Sequence, residues 1–391
     1  MANKNKVLKD YKFGLAGNKK KLGVNYLRYI FNGLKASSGS EQMFYVELEM
    51  INPTISPSEV VLGFKPRINL SADDLQYALA GTQAAKNINT ETIVQPSYCA
   101  IRIGMLGNNP KQICYYFSTK DMIYSAKPFQ IDINNKLFTE NKISGFLSVS
   151  QEEKLAHPEL FSDDGYVTWD ISYEVDDAIL NGYKKKNIRW FPFGLNTLYT
   201  GKINFDGVDY IVDPRKCSGY IERYWGETFP ATWFHISSAN ISSVITGKTL
   251  QNSSFSVQGV FENKVSFIGK FEDLKLELCA DTSNRQYSVV WDCTQMPECE
   301  NIDENQLHWS VSLNSKLWII DIDIYCRIKD LFNRSLELPE GKRKVLNLLE
   351  GASGTGEIKI YKHIGNTLEQ IEHVNLVKTI CEFGESEESN I

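Results

Sequence analysis

Cysteine is the first shortage that narrows the chemistry. Eight of them (Cys99, Cys114, Cys217, Cys279, Cys293, Cys299, Cys326 and Cys381) are scattered over 391 residues without one CxxC pair. A disulfide scaffold or a zinc ribbon is therefore not expected. The five histidines, His157, His235, His308, His363 and His373, show no helical i, i+4 pairing and no cysteine at ligand spacing, so no metal is implied. A basic surplus is also missing: 42 Lys and Arg against 48 Asp and Glu give a net charge of -6. A whole-chain nucleic-acid binder needs the reverse. No apolar run approaches the ~20 residues of a membrane-spanning helix. The stretch from Met1 to Tyr11 is polar and lysine-rich, without the apolar core of a secretory leader. The expectation is a cytoplasmic protein without integral membrane insertion, open to transient membrane contact, whose oligomeric state the sequence does not give.

Motifs that would hold a cofactor are missing too. Gly351 to Gly356 is glycine-rich, but it lacks the lysine that would reach a phosphate and precedes a strand pattern, so it reads as a plain loop. No Gly-x-Ser-x-Gly elbow occurs, which removes that type of serine hydrolase. Asp321 and Asp323 share one face of an expected strand, where a hydrogen-bonded couple is a better reading than a metal cradle.

What is present is a globular composition, 42% hydrophobic and 12% aromatic, long enough for two or three domains or one large duplicated β structure. Apolar residues alternate with period two between short turn signals, which favours strands. Strands are expected at 43–50, 98–103, 113–117, 142–150, 166–174, 198–205, 209–212, 233–239, 254–262, 264–271, 275–279, 318–327 and 357–362. Asp206-Gly207 between two of these runs signals a hairpin. Helix is expected only at Ser71 to Lys86 and Gln151 to His157. So many short antiparallel strands close most easily into two barrels or sandwiches, since closure removes reactive edges. The polar run Asn181 to Asn187 suggests a boundary, and the acidic stretch from Glu382 to Ile391 reads as a frayed tail.

The most unusual segment is Gly219 to Asn240, where Tyr220, Tyr224, Trp225, Phe229, Trp233 and Phe234 are interleaved with Glu222, Arg223, Glu227 and His235. Trp-Gly followed by Phe-Pro implies a tight crossing between two strands. Alternation in the second strand puts Trp233, His235 and Ser237 on one face and Phe234, Ile236 and Ser238 on the other. An aromatic face with polar handles is what a barrel lumen would need to hold an apolar ligand with one polar end.

These residues resemble the tocopherol cyclase-like family, whose signature runs Gly-Tyr-x-Glu-x-x-Trp-Gly-x-x-Phe-Pro-x-x-Trp-x-Trp. Gly219, Tyr220, Glu222, Trp225, Gly226, Phe229, Pro230 and Trp233 match it in order. Phe191 to Gly194, leading to the Asp206-Gly207 turn, and Lys127 to Phe138 are similar as well. The likeness is strong over about fifty residues and diffuse elsewhere. It implies a mainly β chain of two packed lipocalin-like antiparallel barrels, which the boundary suggested by the polar run divides into residues 1–186 and 187–391. It also implies cofactor-free, acid-catalysed ring closure of a prenylated hydroquinone, with carotenoid hydratases and some Diels–Alderases similar at a greater distance.

Protonating a trisubstituted alkene gives a tertiary carbocation, which requires a carboxylic acid kept protonated by an apolar pocket and aromatic faces around the charge. Glu222 matches the family's acidic position and is the first candidate acid; Asp170 is the second. His235 is a candidate acid or base, and Tyr220, Trp225, Phe229, Trp233 and Ser237 are candidate ligand contacts. Each has a bland alternative: Glu222 as a carboxylate paired with arginine, His235 as a core histidine, the tryptophans as packing. Where the family shows an aromatic, Gln and Asn, this chain has His235, Ser237 and Ala239, so the substrate has changed or catalysis has been lost. Two rival functions stay open, a non-catalytic carrier of a hydrophobic ligand and a structural pair of barrels that binds a protein partner.

Overall fold

The computed structural model describes residues 13, 15, 17–63, 94–107, 110–156, 163–175, 178–179, 181–185, 187–217, 219–260, 264–279, 287–295, 305–341 and 345–385. The expected helix Ser71 to Lys86 lies outside them. The chain forms two lipocalin-like antiparallel β-barrels packed together, with a single α-helix among the described residues, α1 at Gln151–Ala156. None of its described helices is long and apolar enough to cross a membrane.

The first sheet holds β1 (Val24–Lys35), β2 (Glu41–Ile51), β3 (Tyr98–Leu106), β4 (Lys111–Phe117), β5 (Met122–Ala126), β6 (Phe129–Ile133), β7 (Lys136–Thr139), β8 (Lys142–Val149), β9 (Gly165–Val175), β10 (Tyr183–Lys185), β11 (Ile188–Gly194), β12 (Thr197–Phe205), β13 (Val208–Val212) and β14 (Gly219–Gly226). β1 pairs with β2 along one edge and with β14 and then β13 along the other, while β4 curls round against β8 to bring the sheet back on itself. The second sheet holds β15 (Thr232–Ser238), β16 (Ile241–Ser243), β17 (Ser254–Val260), β18 (Lys264–Phe271), β19 (Leu274–Leu278), β20 (Tyr287–Gln295), β21 (Gln306–Ser315), β22 (Trp318–Arg327), β23 (Phe332–Glu337), β24 (Val345–Ile364) and β25 (Thr367–Glu385). Its end strand β20 reaches back to β18 and β17 through side chains. The Tyr287 hydroxyl donates to Val265 O at 2.7 Å and the Trp291 indole to Val260 O at 3.3 Å.

Both lumens are filled by their own apolar side chains. A second hydrophobic layer lies between the barrels, because the central strands bury both faces. In β1, Leu27, Tyr29 and Phe31 point into the first lumen, whereas Tyr26 and Ile30 face the other barrel. A strand apolar on both sides does not alternate, which is why periodicity does not mark β1.

The change of sheet falls between β14 and β15, well past the expected boundary at 186/187. The lysine-rich run there belongs to the β10–β11 hairpin at the edge of the first sheet. Gly351 to Gly356 is part of β24, not a loop, and the register slips there in two steps. The supposed tail from Glu382 begins as the end of β25, paired with β15 and β24. The Asp206-Gly207 hairpin is as expected, with φ of 49° and 80° at the two central residues.

Gly384 in β25 holds Trp233 in place: a Cβ at that position would overlap the indole ring. Gly384→Ala is expected to cost about 1–3 kcal/mol through that overlap. Comparison of urea midpoints with the unchanged chain checks this, and an unshifted midpoint would show that the indole can move aside.

Candidate functional site

The outward faces of β1, β2, β14, β15, β24 and β25 meet in a buried layer that is charged in the middle and aromatic at its rim. Alternation on β14 puts Tyr220, Glu222 and Tyr224 in this layer and turns Ile221 and Trp225 into the first lumen. On β15, Trp233 and His235 enter it, while Phe234 and Ile236 fill the second lumen. The face with polar handles therefore looks across to the other barrel and not into a lumen. Period two separates two faces of a strand but does not say which one is inside.

Arg28 stands at the centre. Its guanidinium pairs with Glu350, lies 3.2 Å from Glu382 and 3.6 Å from Glu222, and its Nε is 3.7 Å from Glu47. Arg334 donates to Glu47 at 2.8 Å and pairs with Glu350 at 3.0 Å, and Arg102 bonds Glu47 at 2.9 Å and Glu49 at 2.7 Å. Five carboxylates (Glu47, Glu49, Glu222, Glu350, Glu382) thus contact three guanidiniums, all withdrawn from water. A surplus of buried negative charge is relieved by binding protons. Burial pushes the carboxyls of Glu222 and Glu49 up, despite the arginines beside them. Burial alone would do the same to Glu382, but His235, Arg28 and the Trp233 N–H outweigh it and hold it down at about 2. Arg334, Arg102 and Arg28 likewise overcome burial and hold Glu47 at about 2.

His235 joins the two oppositely shifted groups. Its Nδ1 is 3.8 Å from Glu222 and 3.7 Å from Glu382. The ring is stacked 5.2 Å from Tyr220 and meets Trp190 edge-on at 5.8 Å. Indole N–H groups orient the carboxylates, Trp190 donating to Glu222 at 3.0 Å and Trp233 to Glu382 at 2.8 Å. The Tyr220 hydroxyl lies 3.5 Å from Glu222, 3.3 Å from Ser256 and 3.3 Å from the Gln258 amide. Glu222, His235 and Glu382 could each offer a metal ligand atom within 4.8 Å of the others, but the Arg28 guanidinium already stands as the cation at both carboxylates.

A cavity of about 10 Å³, room for one water, opens on this cluster between Tyr26, Trp190, Tyr224, Phe229, Trp233, Arg28 and Glu382. A second, of about 20 Å³, lies on the other side, against Tyr220, Ser237, Asn240 and Lys378.

Of the residues singled out from sequence, Tyr220, Glu222, Phe229, Trp233, His235 and Ser237 gather in the inter-barrel layer. Trp225 does not: it packs in the first lumen's core beside Phe191, under Arg189. Asp170 is not there either. It stands on the outside of β9 with its side chain 67% exposed, 2.7 Å from Lys142, a solvated ion pair away from any pocket. Asp321 and Asp323 are hydrogen-bonded surface groups, to Ser312 and His308. Sequence reading missed Arg28, Trp190 and Glu382. The arginine alone in Tyr-Leu-Arg-Tyr-Ile-Phe is a signal, since a charge inside a two-sided apolar strand needs buried partners.

No protein-family model matches the chain, and no curated protein matches it in sequence. Among solved structures it is similar to kievitone hydratase from Nectria haematococca, at 12% identity and a TM-score of 0.43, over 97% of this chain and 94% of that one. It is also similar to a Nitrosomonas europaea structure provisionally named AttH, at 11% identity and a TM-score of 0.41, over 93% and 94%. Similarity of this degree says nothing about chemistry.

The opposed shifts predict a domed pH profile of stability. Glu47 and Glu382 are held at about 2 against 4.5 in an unfolded chain, so their contribution is complete above pH ~4.5 and lost as pH falls toward 2. Glu222 and Glu49 act oppositely, contributing fully below pH ~4.5 and losing that contribution as pH rises through their raised folded values. Glu222→Gln imitates the protonated acid. Its stability relative to the unchanged chain should therefore improve between pH 5 and pH 8, read from denaturant midpoints; a pH-independent difference would mean that Glu222 is ionised.

Proposed function

We propose that the chain is an acid–base enzyme, tocopherol cyclase-like in its chemistry, acting on a hydrophobic small molecule of isoprenoid or quinone type. One observation carries this: two wholly buried carboxyls, Glu222 pushed toward its neutral form and Glu382 toward its ionised form, flank one imidazole beneath an aromatic cleft. Pairs of titratable groups driven apart by their surroundings mark acid and base roles.

In the proposed step, protonated Glu222 gives its proton to a trisubstituted alkene, and positive charge develops at the tertiary carbon. The faces of Trp190, Trp233 and Tyr26 stabilise that charge. The oxygen of a phenol on the same substrate then forms the new C–O bond, and its proton passes to Glu382 or His235. Return of that proton through His235 restores neutral Glu222, so the cycle consumes no cofactor. Water in place of the phenol would give hydration by the same proton transfers. Glu222→Gln should lower turnover by about 10² to 10⁴, the usual worth of a positioned acid, with cooperative unfolding retained. Loss of folding in that variant, or unimpaired turnover, would mark Glu222 as a structural carboxylate.

A second reading, a lipocalin-like carrier without chemistry, is favoured by the arginine pairing of Glu47, Glu350 and Glu382 and by Ser237 and Ala239 at positions where the resembled family has amides. Native mass spectrometry of the purified protein separates the two. A retained lipid or quinone released unchanged after prolonged incubation supports the carrier, and conversion to an isomer or a hydrate supports the enzyme.

A further inference from the structure

The connection between the barrels is five residues long, Glu227 to Ala231, between the ends of β14 and β15. It is fastened at its start, where the Glu227 N–H donates to Asn187 O at 3.0 Å and the Tyr224 hydroxyl to Thr228 O. Phe229 then turns inward until its side chain is nearly buried. Its ring lies 5.1 Å from that of Tyr224 and 6.1 Å from that of Trp233, within 17° and 19° of parallel, and 6.4 Å from Tyr26 at 18°. Tyr26 and Tyr224 are themselves stacked at 5.3 Å and 8°.

Three of these rings stand on regular strands, β1, β14 and β15, and their positions are fixed by ladder pairing. Only the fourth belongs to a segment outside the sheets. The cleft it fills leads to Glu382 and Arg28, and with Phe229 in place nothing larger than a water fits there. The site read above as catalytic is therefore closed, by a flat ring lying parallel to flat walls.

We infer that Phe229 is an internal plug occupying the place of a ligand's planar aromatic ring, and that the Glu227–Ala231 connection swings aside to admit that ring between Tyr224 and Trp233. Stacking on parallel faces favours a flat, unsaturated ring over an aliphatic group of equal size, because offset π contacts add to the area buried. This inference takes the location of the site from the proposed function but not its chemistry.

The test uses the full chain with Phe229→Ala and Phe229→Leu, titrated with 1-naphthol and with its saturated counterpart 1-decalol, followed by tryptophan quenching and calorimetry. Phe229→Ala should bind 1-naphthol about tenfold more tightly than the unchanged chain, with a smaller gain for 1-decalol, while Phe229→Leu, refilled by a branched group, should show no gain. Absence of any gain, or equal gains for both alcohols, overturns the inference. Should Phe229→Ala not fold, amide hydrogen exchange of the unchanged chain decides. Saturating 1-naphthol should speed exchange at Thr228, Phe229 and Ala231 relative to the free protein, and unchanged or slowed exchange overturns it. The same titration on Glu222→Gln keeps the two ideas apart, because a preserved affinity without turnover leaves the plug standing whatever becomes of the acid.

Discussion

A buried imbalance of charge governs the molecule. Five glutamates meet three arginines in a layer closed to water, and such a group is stable only while guanidiniums and protons together neutralise it. Ion pairs of this kind add little net stability compared with apolar packing of the same volume, yet removing one partner strands a charge and costs several kcal/mol. Their effect is geometric: Arg28 on the first sheet and Glu350 and Glu382 on the second fit in one arrangement of the barrels. Burial in this layer raises the Glu222 carboxyl, and Glu382 beside it adds to the rise, against the pull of His235 and Arg28.

Placing the polar layer outside both lumens separates two tasks within one strand. Alternate residues of β1 and β14 fill a barrel and so fix the strand, and the residues between them project into the seam with little freedom left. Pre-set side chains of this sort are what an acid and a base must be to act at fixed distances. The aromatic rim has the complementary property. It is apolar, polarisable and nearly closed, and it shields the carboxyls from solvent that would otherwise return their pKa values to the ordinary range.

Much of the fold was legible because most strands have one buried and one solvated face. β9 alternates so strictly that its limits could be read directly, and Asp206-Gly207 marked its hairpin by backbone chemistry alone. Legibility failed where both faces are buried. β1 shows no alternation to mark it as a strand, and the glycine-rich stretch of β24 reads as a loop because its small residues make room for Leu331 and the thiols of Cys326 and Cys381. The crossing from Gly219 to Trp233 stood out through its aromatics, and two of the candidates it contributed, Glu222 and His235, lie 3.8 Å apart in the seam. Asp170 misled because alternation cannot distinguish a solvated face from a pocket. Glu382 was overlooked because acidic residues close behind it in sequence gave the whole segment the look of a solvated tail.

Arg28 and Glu382 are 354 positions apart, and this separation bears on how the protein is made. A ribosome delivers β1 and β14 long before β24 and β25 exist, so Arg28 meets Glu350 and Glu382 only when the chain is nearly complete. The charged seam is thus assembled in two stages, the Arg102 pairs with Glu47 and Glu49 lying wholly within the first sheet and the contacts of Arg28 to the second sheet waiting for its last two strands.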